Sequence, residues 1–166
     1  ESFPPTTDDD GVVKTVFFDV DTQLDFLSPE GALYVPGAEC IVNSLCQLTR
    51  FAAANQIPII SMVDAHAEND PEFKTWKPHC VVGTTGQRKA AATLLKNPIV
   101  LRTAPRSPSS LESSMKETAQ ILVEKQQLDC FANPNLRPLL KRSARRTVDY
   151  SQPKLAPTLF VEVNAS

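Results

Sequence analysis

The 166-residue sequence predicts an α/β fold built on a mainly parallel sheet. Three observations carry that prediction. Two apolar, β-branched runs of strand length, Val12–Val20 and Ile57–Val63, read as strands covered on both faces. Between them Ile41, Val42, Leu45, Leu48, Phe51 and Ala52 recur at helical spacing, over about Glu39 to Asn55. Acidic and imidazole side chains then stand at the strand ends, Asp19 and Asp21 at the first, Asp64 and His66 at the second. Ligands in open α/β sheets bind beyond the carboxyl ends of the strands, which makes Asp21, Asp64 and His66 mutually reachable.

The remaining elements follow in order. LSPEGALYVPGAE is rich in turn residues and reads as a loop. Asn55 and Pro58 stop the helix, and the second strand follows at once. Gln87 to Lys96 is rich in Ala, Leu and Lys and predicts a short helix, with a brief strand from Pro98 to Thr103. The Pro- and Ser-rich APRSPSSLESS predicts a polar loop. Ala119 to Lys125 reads as a further strand with Lys125 at its carboxyl end, and DCFANPNLRPLLKR as a turn leading into a short helix. After about Leu140 the text becomes basic and aperiodic, and only Leu159 to Val163 resembles a strand. The cluster Arg137, Lys141, Arg142, Arg145 and Arg146 reads as a solvated face rather than an anion site.

Composition narrows the classes. The length suits one domain, with 1–11 as an acidic flexible arm, 12–140 as the α/β domain and 141–166 as a divergent tail. A net charge of −2 gives no reason to expect nucleic acid as a partner. No apolar run approaches the ~18 residues of a membrane span, and the beginning lacks the apolar stretch of a signal peptide. Four cysteines without CxxC spacing predict reduced thiols and a cytoplasmic setting.

The segment VDAHAENDPEFKTWKPHCVVGTTG holds the chain's two histidines. Asp64 and His66, two apart at a strand end, fall on the same side. His79 follows a short loop beside Trp76 and Pro78. One carboxylate and two imidazoles fit Zn²⁺ or another first-row metal with open positions. The alternative is two loop histidines that meet by chance.

Several separated motifs then coincide. DTQLDF at 21–26 resembles the D-x-Q-x-D-F opening of the isochorismatase-like cysteine hydrolases, and GALYVPGAE resembles the loop that follows it in that family. DAH at 64–66 with WKPHCVVGTTG at 76–86 is similar to the metal-binding and substrate-loop signature of the nicotinamidase branch. LVEKQQLDCFANPNL places a lysine where the family carries its catalytic one. The resemblance covers roughly residues 12 to 140. It implies a Rossmann-like three-layer sandwich with a mainly parallel sheet, incomplete at the C-terminus. It also implies a hydrolase of non-peptide C–N bonds that turns nicotinamide and water into nicotinate and ammonia through a Cys thioester.

Within that resemblance Asp21 is the general base and Lys125 the cation beside it, because a thiol is a strong nucleophile only as thiolate. Asp64, His66 and His79 hold a divalent metal, Zn²⁺ first, with Fe²⁺ or Mn²⁺ as alternatives. Phe26 and Trp76 provide flat walls for the substrate ring. The expected partner is a small amide, with neither nucleic acid nor membrane, and a homo-oligomer is compatible. The departure is the nucleophile. The family carries it after the next strand, yet no cysteine follows Cys130. Cys80 sits where the family often has a cysteine that is not the nucleophile, and Cys40 and Cys46 border or belong to a packing helix. A catalytically silent protein that retains the metal and ring pocket therefore stays open beside the amidase, as does a hydrolase of another small amide. Loss of later βα units predicts an exposed sheet edge and low stability.

Overall fold

The computed structural model describes residues 16–144 and 159–162. Five strands form one parallel sheet in the order β3-β4-β2-β1-β5. They are β1 Phe17–Val20, β2 Ile59–Asp64, β3 Ile99–Leu101, β4 Gln120–Lys125 and β5 Leu159–Glu162. The helices are a one-turn α1 Leu24–Leu27, α2 Val42–Ala54, α3 Pro108–Glu117 and α4 Leu136–Ala144. The expected α/β sandwich is the observed one. The arm at 1–11 lies outside the described residues, as does most of the tail.

Alternation along the strands sorts side chains into two layers. Ile60 and Met62 of β2 face the same way as Ile121 and Val123 of β4, and the register sets them side by side. With Leu101, Leu111, Leu136 and Leu139 they form the main core, beneath α3 and α4. The other parity meets α2, where Ala52, Ile57 and Ile59 pack with Phe17 and Leu95. All six residues of β2 are buried, as the center of a parallel sheet requires.

The α2 side also holds a polar network. Lys89 Nζ donates to Asp19 and Thr22. Thr22 Oγ1 reaches Asp19 at 2.7 Å and Ser61 Oγ reaches it at 3.2 Å. Gln120 Nε2 donates to Ser61 Oγ and to the Thr93 carbonyl, both at 2.9 Å. Each buried polar group here has a partner, which removes the penalty of leaving one unpaired.

Two expectations change. The helix predicted over 87–96 is only a 3-10 turn, Ala91–Thr93. The backbone before it is committed elsewhere: Leu24 N–H donates to the Arg88 carbonyl and Ala90 N–H to that of Thr22. The loop predicted over 104–114 contains most of α3. Ser107 caps it by accepting from the Ser110 amide, and Pro108 supplies a preset first turn. Leu111 then anchors it in the core at 0% exposure. The strand expected near 159–163 is β5, which pairs with β1 from Phe17↔Leu159 to Val20↔Glu162 and is the end strand of the sheet among the described residues. Among the described residues no helix is long and apolar enough to cross a membrane.

Chemical unfolding checks the new helix. Leu111→Ala should cost about 2–5 kcal/mol, and Ser107→Ala about 1 kcal/mol through its lost cap. A loop at this position would leave the Ser107→Ala midpoint unmoved.

Candidate metal and amide site

Strand register builds the site. Asp64 continues the row Ile60, Met62, and Lys125 continues Ile121, Val123, so the two meet as a register pair at the carboxyl edge. Lys125 Nζ lies 2.5 Å from Asp64 Oδ1 and 3.1 Å from Asp21 Oδ1. Asp21 follows β1 directly, with φ of 58°, a left-handed conformation that few non-glycine residues adopt. Its amide is bonded to the Met62 carbonyl at 3.1 Å, which fixes the turn. All three side chains are buried.

The histidines close around Asp64. His66 Nε2 and His79 Nε2 each stand 3.7 Å from Asp64 Oδ2. One donor atom from each of the three residues lies within 4.8 Å of the others. Metal–donor distances of about 2.0–2.1 Å place tetrahedral donors roughly 3.3 Å apart, so this cluster fits a small divalent cation with modest closure. His79 Nδ1 is 2.7 Å from the Lys77 carbonyl, which orients Nε2 toward Asp64. His66 is fully buried with neither ring nitrogen in an aligned hydrogen bond. A buried polar group in that state is costly unless a ligand completes it.

A clasp holds these elements together. The Gln23 side-chain amide takes both backbone groups of Asp64, donating to its carbonyl at 2.8 Å and accepting from its N–H at 2.6 Å. It also donates to the Gln87 carbonyl at 2.7 Å. Asp25 accepts from the Cys80 amide at 2.6 Å and from the Ala32 amide at 2.9 Å. Gly86 is required by close approach, because a Cβ there would overlap the Asp25 carboxylate. The loop bearing His79 is thus bound to the loop bearing Asp21.

The aromatic residues divide. Trp76 is half-buried and lines an open cleft of about 640 Å³ with Asp70, Glu72, Gln126 and Leu128. Phe26 is buried behind the site, its ring edge-on to His79 at 5.5 Å. Phe73, which no pattern in the sequence singles out, lies against both imidazoles, at 5.3 and 5.7 Å between ring centers. Gln23 and Asp25 were visible in the DTQLDF motif, but nothing in their spacing announced a clasp.

The charges are strongly coupled. Burial raises the Asp64 carboxyl, yet His66, His79 and Lys125 outweigh it and hold it well below the usual carboxylate range. Burial lowers the Lys125 ammonium, yet Asp21 and Asp64 outweigh it and push it up. Both imidazoles rise likewise, because Asp64 overcomes the effect of burial. The Cys80 thiol is pushed far up by burial and by Asp64, Asp25 and Asp21. Burial also raises the Cys130 thiol. Cys46 lies in the expected helix α2 and is partly exposed, and Cys40, just before it, is exposed.

These shifts predict the pH dependence of metal-free stability. A lowered Asp64 contributes fully above the unfolded Asp value of about 3.9, and the contribution is lost as pH falls through its folded value. A raised Lys125 contributes fully below about 10.4, and is lost as pH rises through its own folded value. The raised His66 and His79 contribute fully below the unfolded His value of about 6.5 and lose that contribution as pH rises through their folded values. Urea midpoints should therefore be highest between about pH 4 and 6.5, decline above that range and fall further at the alkaline limit, and Asp64→Asn should shallow the acid limb. An acid limb unchanged by Asp64→Asn would remove this account.

Comparison with known proteins comes down to fold. No protein-family model and no curated protein sequence matches the chain. Solved structures do. The pyrazinamidase/nicotinamidase from Streptococcus mutans UA159 superposes with a TM-score of 0.56 at 21% identity, over 77% of this chain and 66% of its own. Nicotinamidase from Bacillus subtilis gives 0.53 at 23%, over 78% and 65%. An isochorismatase-like hydrolase from Alkaliphilus metalliredigens gives 0.58 at 22%, over 77% and 60%. The chain thus spans less than two thirds of the length of these structures. Strand order, parallel register and these superpositions agree: the chain has the fold of the isochorismatase-like hydrolases.

Proposed function

We propose that the chain is a nicotinamidase-like amide hydrolase, releasing ammonia from nicotinamide or a closely related small amide. The observation that carries this reading is Lys125, buried between Asp21 and Asp64 at 3.1 and 2.5 Å, with His66 and His79 converging on the same carboxylate. Asp21 is the base that takes the nucleophile's proton and later delivers it to the leaving nitrogen. Lys125 stays protonated, and of its three N–H donors two are engaged by the carboxylates. The third is available to the oxyanion that develops on the amide carbonyl. Asp64, His66 and His79 hold the divalent ion, Zn²⁺ by donor type with Fe²⁺ or Mn²⁺ as alternatives. When bound, the ion supplies a Lewis-acidic contact for the pyridine nitrogen. Trp76, on the open cleft beside Asp70 and Glu72, offers the ring a flat apolar wall, while Phe26 packs edge-on against His79.

One observation favors a second reading, a binding protein that retains the pocket without turnover. A thioester route needs a thiolate, and the two thiols whose shifts are resolved, Cys80 and Cys130, are both driven toward the protonated form.

Ammonia release from nicotinamide, with Zn²⁺ supplied, separates the two. The amidase reading expects turnover that falls about 10²–10⁴-fold in Asp21→Asn. Zinc-dependent nicotinamide binding with no ammonia would establish the binding protein instead. In either case Trp76→Ala should weaken nicotinamide about 3- to 10-fold, as loss of an aromatic wall does.

A further inference from the structure

We propose that Asp70 is a positioning residue for the metal center, whose carboxylate holds His66 at Nδ1 so that Nε2 faces the ion as an unprotonated donor. The inference rests on the reading that Asp64, His66 and His79 bind a divalent ion. His66 Nδ1 lies 3.1 Å from Asp70 Oδ2, with side-chain exposures of 0% and 10%. A neutral imidazole carries one N–H and one lone pair. An acceptor at Nδ1 therefore places the lone pair on Nε2, the atom 3.7 Å from Asp64 Oδ2.

Asp70 is itself fixed. Its other oxygen, Oδ1, accepts from the Glu72 amide at 2.9 Å and caps the 3-10 turn Pro71–Lys74. Its own amide donates to the Ala67 carbonyl at 3.1 Å, closing the loop that runs back to His66. Phe73, on the turn that Asp70 caps, lies against both imidazole rings and limits their rotation. The Nδ1 to Oδ2 approach has hydrogen-bond length without hydrogen-bond alignment. Ligation at Nε2, which sets the ring plane, is what completes it. The two histidines are then held differently, His79 by a neutral carbonyl and His66 by a charged carboxylate. A carboxylate partner raises the basicity of a ligating imidazole, and removal of such a partner commonly costs 10- to 100-fold in metal affinity.

The same side chains pose a competing geometry. One donor atom each from His66, Asp70 and Glu72 also lies within 4.8 Å of the others. An ion there would make Asp70 a ligand rather than a positioning group.

Titration of the full chain with Co²⁺, followed by its visible absorption, and with Zn²⁺ in competition decides the matter. Wild type should bind one equivalent. Asp70→Ala should weaken binding 10- to 100-fold with an unchanged Co²⁺ spectral shape, because the ligand set is intact. Asp70→Asn should fall between, since its carbonyl oxygen still accepts the N–H but lacks the charge, and it carries the test if Asp70→Ala does not fold. Wild-type affinity in both variants, with binding abolished by Asp64→Asn, would overturn the role of Asp70 and leave the center standing. A second equivalent that disappears in Asp70→Ala would overturn it by making Asp70 a ligand. No binding by wild type would instead sink the metal reading on which the inference rests.

Discussion

The Lys125 ammonium, held between the carboxylates of Asp21 and Asp64, is the interaction on which the rest of the structure depends. Three charges are removed from water at the carboxyl edge of the sheet, and burial opposes each of them. They persist because they sit within contact distance of one another: the parallel register of β2 and β4 pairs Asp64 with Lys125, and the turn after β1, tied to the Met62 carbonyl, brings Asp21 to the same ammonium. Removal of the lysine would leave two buried carboxylates facing each other, a loss of about 3–5 kcal/mol by the usual cost of breaking a buried pair. The trio carries one positive charge against two negative ones, so the pocket favors a cation. The imidazoles of His66 and His79 stand where such a cation would be held.

Around that trio the molecule spends hydrogen bonds on position rather than on secondary structure. Gln23 binds both backbone groups of Asp64, and Asp25 binds the amide of Cys80. These contacts tie the segment after β1 to the segment after β2. Positive φ values at Asp21 and Cys80 fall in the two loops so joined. Local strain of this kind persists only where the surroundings over-determine the conformation, and the clasp does so here. Cys80 shows the consequence: it is fully buried in the apolar cluster with Phe26 and Leu27, and burial and the nearby carboxylates push its thiol toward the protonated form.

How much was legible depended on which physics wrote it. The strands around Ile59–Asp64 and Gln120–Lys125 were readable from apolar, β-branched runs, because burial on both faces selects those residues. The short helix α3 was misread because Pro and Ser suggest a loop, although Ser107 before Pro108 is also the signature of a helix start. The reverse error, a helix over 87–96, came from helix-forming composition overruled by tertiary hydrogen bonds to Thr22, Gln23 and Leu24. Phe73 and Asp70 escaped notice because neither follows a period or a motif, and their meaning lies in what they touch.

The sequence by itself determined the α/β class and the strands whose carboxyl ends carry Asp21, Asp64 and Lys125, while the resemblance to a known family singled out Asp21 and Lys125 as candidates beside Asp64, His66 and His79. It could do so because periodicity and residue type are local, and because strand ends in such sheets converge on one edge. The tertiary structure alone decided that Lys125 bridges two carboxylates, that Trp76 faces a cleft while Phe26 is buried, and that Asp70 stands behind His66. Those are matters of ångströms between residues distant in sequence. Register, loop closure and side-chain packing set such distances, and no spacing along the chain encodes them.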